Sequence, residues 1–148
     1  MNGPDFDAFR QLVRTQSGLV LTPDKRYLVE SRLTPIAKEA GFETVAALLA
    51  AIRTGGGEAL KRRCVDAMAT HETFFFRDGT PFRLLEETLL PRLLEARKTT
   101  RTLRIWCAAC SSGQEPYSIA ILLREASARL PGWRTEIVAT DMSEAILA

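Results

Sequence analysis

The chain has 148 residues, 46% of them hydrophobic and 26% charged, with a net charge of +2. Divided after Glu72, each part carries 10 basic and 9 acidic residues, so neither is a basic arm and bulk charge makes no case for nucleic acid. Apolar runs are short and broken by charge, which excludes a membrane-spanning segment. The start, MNGPDFDAFR, lacks the basic-then-apolar pattern of a secretory signal. Three cysteines make no disulfide framework, and a reducing, cytoplasmic setting is expected.

Residues 4–17 predict a first helix, with Phe6, Phe9, Leu12 and Val13 at helical spacing and Gly18 as its stop. Leu19 to Leu21 is a brief apolar crossing. Thr22-Pro23 supplies an N-cap and a proline for a second helix, with Tyr27, Leu28 and Leu33 inward and Lys25, Arg26 and Arg32 outward or on its flank. Pro35 should kink or restart it, and Gly41 should end it. Thr44 caps a third helix with Val45, Leu48, Leu49 and Ile52 on one face. Gly55 to Gly57 break the chain before a fourth, whose stripe is Leu60, Cys64, Val65 and Met68. Residues 1–70 thus read as a small helical bundle.

Thr80-Pro81 opens another helix with Phe82, Leu85 and Leu89 on one face, interrupted at Pro91 and ending near Arg97. Lys98 to Arg101 is a polar hinge. The periodicity then changes. Leu103 to Cys107 is strand-like, with Trp106 expected in the core. A turn of small residues follows, and 115–129 is a helix with Ile119, Ala120, Leu122, Leu123 and Ala126 buried. After Pro131-Gly132, Thr135 to Thr140 is a second strand, and Ser143 caps one more helix. Strand, helix and strand at this spacing form a parallel unit.

Ligands of open parallel sheets sit at the carboxyl ends of the strands. That position here is Cys107 to Gly113. Ala108, Ala109, Ser111, Ser112 and Gly113 are all small, so backbone can approach a ligand closely. With one glycine, the turn is a poor pyrophosphate cradle; it suits a ligand presenting a ribose and an amino acid. Pro116 is placed at the first helical position. Glu115 either favours the helix N-terminus or accepts hydrogen bonds from a ligand. Asp141 follows the second strand, where it either takes ribose hydroxyls or caps the next helix with Ser143. His71 contacts a ligand or caps the fourth helix. At least two of Phe74, Phe75 and Phe76 should be packing. Cys107 and Cys110 form a C-x-x-C, for which neither a thioredoxin context nor further metal ligands are visible.

The turn CSSGQEPYS resembles the CS(T/S)GxEPYS motif of the CheR family of chemotaxis-receptor glutamate methyltransferases. THETFFFRD resembles that family's TxNxTxFFR segment, ATDMS its second-strand ending, and LTPDKRYLVESRL its N-terminal helical domain. The resemblance implies an α plus α/β architecture: a small N-terminal helical bundle, then the first β-α-β unit of a Rossmann-like fold. Its expected boundaries are a helical domain over 1–72, a connecting helical segment over 73–100, and a partial methyltransferase domain over 101–148.

It implies transfer of a methyl group from S-adenosylmethionine to receptor glutamates, leaving S-adenosylhomocysteine. Thr73 and Arg77 would contact the amino-acid end of the cofactor, Glu115 its amino group and Asp141 its ribose. His71 stands where the family usually has asparagine. No residue is assigned a catalytic role beyond positioning by Arg77, and no metal is expected. Basic residues of the bundle (Lys25, Arg26, Arg32, Lys61, Arg62 and Arg63) are candidates for docking acidic receptor helices. The chain reads as the N-terminal part of such an enzyme, inactive alone and prone to self-association or domain swapping through unpaired strand edges. Two other functions stay open: a non-catalytic receptor-binding module, and a nicotinamide-dependent oxidoreductase, against which the missing G-x-G-x-x-G counts.

Overall fold

A computed structural model describes residues 3–147. It divides into two units, Met1–Thr70 and His71–Ala148, each with its own apolar core.

Among the described residues the first unit has four α-helices: α1 (Gly3–Ser17), α2 (Arg26–Glu39), α3 (Val45–Arg53) and α4 (Glu58–Asp66). Phe6, Phe9 and Val13 of α1 are fully buried against Val29, Leu33, Leu48, Leu49 and Cys64. Gly18, at φ 74°, turns the chain out of α1. Asp5 is buried in the first turn of α1 and accepts from Arg53 Nε at 2.8 Å, in the last turn of α3. Each charge lies at the helix end whose dipole favours it. Thr44 Oγ1 accepts the Ala47 N–H at 3.1 Å, so the expected N-cap of α3 is made.

Helix α2 departs from expectation in three ways. It is entered through a 3-10 turn, Pro23–Lys25, and Thr22 makes no side-chain cap. Tyr27 is two-thirds exposed, because the buried stripe is Val29, Leu33, Ile36 and Ala37, and Tyr27 lies off it. Pro35 does not restart the helix, which runs unbroken from Arg26 to Glu39: it and Ser31, whose carbonyl loses its partner, both face solvent, where water can satisfy that oxygen. Arg32 is spent locally. One guanidinium nitrogen donates to the carbonyls of Ala67 (3.2 Å), Met68 (2.8 Å) and Ala69 (2.9 Å), closing the end of α4.

The second unit begins with the segment His71–Gly79 and a helical run in three pieces: α5 (Thr80–Leu84), a π-turn (Leu85–Leu89) and α6 (Leu90–Ala96). Pro91 does not interrupt the run. It lacks an N–H and its ring crowds the carbonyl one turn back, and a π-turn just before it relieves both. Leu90 N–H accordingly reaches Leu85 O. The extra residue rotates the remainder of the run by about 100°. Leu89, expected inside, is therefore half-exposed, and Leu90 is fully buried in its place.

Strands β1 (Thr102–Ala108) and β2 (Arg134–Thr140) pair in parallel, from Thr102 opposite Arg134 to Ala108 opposite Thr140. Between them run α7 (Gln114–Glu125) and a 3-10 turn, Ala126–Arg129; a short α8 (Glu144–Leu147) follows β2. This is the expected helical bundle followed by a β-α-β unit. Leu103, Cys107, Ile119, Leu122, Leu123 and Ala126 form one buried layer with Leu90. Trp106 is not in the core: it is 71% exposed on the opposite face, where its Nε1 donates to Thr140 Oγ1 at 3.0 Å. Arg104 pairs with Glu136 at 3.1 Å on that face. Ala120, also expected inside, is exposed. No helix of the described residues is long and apolar enough to cross a membrane.

Candidate functional site

The turn after β1 is built from conformations that side chains avoid. Ala109 (φ 62°) and Ser111 (φ 51°) are left-handed, and Gly113 (φ 98°) is the N-cap of α7. Each left-handed non-glycine residue costs about 1–2 kcal/mol. At Gly113 a Cβ would also meet the Tyr117 ring at 3.3 Å. Pro116 is the third residue of α7 instead of the first, a position whose N–H has no helical partner either.

Fixed hydrogen bonds offset this strain. Cys110 N–H donates to Thr140 O at 2.9 Å, carrying the parallel pairing past the strand ends. Ser111 N–H donates to Asp141 Oδ2 at 2.8 Å, and Ser143 N–H donates to Asp141 Oδ1 at 2.9 Å. Asp141 thus ties the turn after β1 to the turn after β2. Burial alone would raise its pKa. The N–H groups of Ser143 and Ser111, the nearby His71 ring and the N–H of Met142 outweigh that and hold the carboxyl below its ordinary value. Ser143 Oγ accepts the Ile146 N–H at 3.3 Å, so capping of α8 falls to Ser143, while Asp141 braces its own turn.

Glu115, in the first turn of α7, comes within hydrogen-bonding reach of the Cys107 thiol. Burial first, and then the Glu115 charge, push that thiol up to about 11. A thiol so shifted is no nucleophile at neutral pH. Cys110 is buried beside it. Among the described residues, no cluster of three or more His, Cys, Asp or Glu is arranged to hold a metal ion.

The segment His71–Arg77 is held to this turn at two points. Ser111 Oγ donates to His71 O at 2.7 Å, and Phe76 N–H donates to Ser118 Oγ at 2.9 Å. His71 therefore sits beside Asp141, and Arg32 takes the capping role at α4 that His71 was a candidate for. Thr73 is half-buried midway between the two points. Arg77 donates to Glu72 O at 2.5 Å and lies over the Phe74 ring at 5.5 Å. Phe74, Phe75 and Phe76 are 52%, 53% and 40% exposed, so the expectation that two of them pack inside fails. Phe76 packs edge-to-face with the Phe82 ring at 5.3 Å, and its left-handed backbone (φ 53°) turns the run outward.

The structure therefore brings His71, Asp141 and the Ser111 amide together, with Glu115 at the head of α7 beside the end of β1. It anchors Thr73 and Arg77 nearby through the same segment, without a direct bond from Arg77 to either acid. A groove of about 360 Å³ runs along Ser111, Gly113, Tyr117, Ala139 and Leu147, and none of the five predicted residues lines it. Ser111 and Ser118 are participants that residue type alone did not expose. The signals were their places in the CSSGQEPYS stretch and Ser118's position one turn after Glu115, on the same side of α7.

Acidic groups at the carboxyl ends of two parallel strands, with a tight turn of small residues between strand and helix, define a nucleoside-cofactor α/β unit, here preceded by a helical bundle. The chain belongs to the CheR methyltransferase family: residues 71–148 match the family model described as "CheR methyltransferase, SAM binding domain", and residues 4–69 match "CheR methyltransferase, all-alpha domain". It is 42% identical over 146 residues to "Chemotaxis protein methyltransferase 1" of Pseudomonas aeruginosa, covering 97% of this chain and 53% of that protein. Identity to "Chemotaxis protein methyltransferase" of Vibrio anguillarum is 41% over 145 residues (97% and 52%). To the Salmonella typhimurium protein of the same name it is 33% over 142 residues (96% and 46%). The chain spans about half the length of these curated relatives.

Proposed function

We propose that this chain is the N-terminal portion of an S-adenosylmethionine-dependent protein-glutamate O-methyltransferase acting on chemotaxis receptors in the cytoplasm. The observation that carries the reading is the Asp141 carboxylate braced between the Ser111 and Ser143 amides, with Glu115 opening α7 at the end of β1. Asp141 Oδ2 accepts the Ser111 N–H and Oδ1 the Ser143 N–H, and a carboxylate has further lone pairs for ribose hydroxyls.

The residues fit the cofactor chemically. Ala108 and Ala109 are exposed and small, so ligand can lie against the turn. Glu115 accepts from an ammonium. Arg77 is exposed and its planar fork suits a carboxylate. Thr73 adds a hydroxyl on the same segment, and His71 holds its end beside Asp141. The bound cofactor supplies a methyl group already activated by its sulfonium. The chain's share of the work is to hold that group in line with a carboxylate that is nucleophilic without a base, and to exclude water.

For the receptor, the proposed contact is acidic helices meeting the cations of the first unit. Lys61, Arg62 and Arg63 on α4 are the candidates; Lys61 pairs with Glu58 at 2.8 Å and Arg63 pairs with Glu39, both at the surface, so a receptor carboxylate would exchange with those acids. The test is calorimetric titration of the complete protein with S-adenosylhomocysteine, together with transfer of labelled methyl to a receptor cytoplasmic fragment. Binding that is lost in Asp141→Ala and Glu115→Ala supports the reading. Absence of binding by the complete protein overturns it.

A further inference from the structure

We infer that Ser111 and Ser118 are positioning residues that latch the His71–Arg77 segment onto the cofactor turn and so set where Thr73 and Arg77 meet the cofactor. The inference rests on the cofactor reading above and adds two residues to it. Ser118 is fully buried, and its hydroxyl is used twice. Its proton goes to Gln114 O at 2.7 Å, one turn back in α7. With the proton committed there, a lone pair is left for Phe76 N–H at 2.9 Å. Ser111, 7% exposed, donates its hydroxyl proton to His71 O at 2.7 Å while its own N–H holds Asp141.

The two bonds bracket Thr73, and the second falls on the residue before Arg77. Besides these, the stretch has the Phe76–Phe82 ring contact and the bond from Arg77 to Glu72 O. Phe74 and Phe75 are more than half exposed, and Phe76, Asp78 and Gly79 are all in left-handed backbone. A segment with strained backbone and little apolar burial keeps one conformation only through specific bonds. Here those bonds come from the same turn and helix that carry Glu115 and Asp141. The latch converts the fixed geometry of α7 into a fixed distance between the acids and the Arg77 guanidinium.

The experiment is S-adenosylhomocysteine titration of the complete protein as wild type, Ser118→Ala, Ser118→Thr, Ser111→Ala, Arg77→Ala and the Ser118→Ala/Arg77→Ala pair. Amide exchange at Phe76 is followed in parallel. Alanine is the better helix former, so Ser118→Ala keeps α7 intact. It is expected to weaken binding about 3- to 10-fold, the net worth of one such bond, and to speed Phe76 exchange. Ser118→Thr, which keeps the hydroxyl, should restore affinity to within about 2-fold. The deciding readout is coupling: in the Arg77→Ala background, Ser118→Ala should cost almost nothing further. If it costs as much there as in the wild type, or if it leaves affinity unchanged in a wild type that binds, the latch is refuted. Ser111→Ala loosens the segment from its other end and carries the same test should Ser118→Ala not fold. A wild type that binds nothing overturns the cofactor reading, and the latch with it.

Discussion

Replacing Asp141 by asparagine tests the brace that joins the two strand ends. The carboxylate accepts two amide bonds, at 2.8 Å from Ser111 and 2.9 Å from Ser143. A hydrogen bond to a charged acceptor contributes about 1.5–3 kcal/mol. Asparagine keeps one acceptor oxygen and turns an NH2 donor toward the other amide, so one bond is lost and one N–H is left facing a donor. Asp141 is only half-buried, and water softens the loss, so the lower end of the range applies: about 2 kcal/mol at pH 7. The assay is urea unfolding of the chain by tryptophan fluorescence. Its two tryptophans, Trp106 and Trp133, both lie in the second unit, so the signal reports the part that contains the brace. The effect has a pH signature. Asp141's folded-state pKa lies below the 3.8 of the free group. Its charge therefore contributes fully above about pH 5, and the contribution fades as pH falls below 3.8 through the folded-state value. The gap between wild type and Asp141→Asn should close over that range. Equal stability at pH 7, or a gap that persists unchanged into acid, would refute the reasoning.

Arg32→Lys should destabilise the first unit by about 1.5–3 kcal/mol in urea unfolding, because an ammonium cannot span the three carbonyls at the end of α4 that the guanidinium reaches; a neutral result would mean water serves those carbonyls equally well. Thr44→Ala removes the N-cap of α3 and should cost about 1 kcal/mol, while Thr44→Ser should cost a few tenths at most. Cys64 and Cys107 are buried with thiols pushed up to about 11. Both should react with a thiol reagent at pH 8 only as fast as the protein opens, and at once in denaturant; rapid labelling of the native protein would contradict their placement.

Elements fixed by short-range chemistry were legible in the residues. Thr44 as N-cap, Gly18 as a stop, the stripe Val45, Leu48, Leu49 and Ile52, and the strand after Arg101 each depend on spacing within a few positions. What escaped depends on partners distant in sequence. Tyr27 and Leu28 look as apolar as Val29, and only the packing of α1, α3 and α4 against α2 decides which face turns in. Trp106 reads as core because large aromatics usually are, but strand residues alternate between two faces, and only the face shared by Leu103 and Cys107 is covered by α7. Pro91 announces a break in a helix; whether the chain answers with a kink or a π-turn depends on Leu90 having a core to enter.

The site divides along the same line. The strand–turn–helix pattern located Glu115 in the first turn of α7 and Asp141 directly after β2, whereas the turn conformation that holds Asp141 was not written in residue identities. Ser111 must adopt a left-handed backbone for its amide to face Asp141 while its hydroxyl faces His71 O. A β-branched residue would resist that backbone, and glycine would adopt it without supplying the hydroxyl. Serine meets both demands, and the cost of its backbone is offset by the two bonds it makes there. The strain in this turn and the latch on His71–Arg77 are therefore one feature: relaxing Ser111 would release the Asp141 brace and one end of the arginine segment together. Replacing Ser111 by glycine separates these roles, since it keeps the amide bond to Asp141 and deletes only the hydroxyl. Stability should then change little while cofactor affinity falls about as far as in Ser111→Ala, and a loss of stability as large as that of Asp141→Asn would show that the hydroxyl, and not the amide, holds the turn.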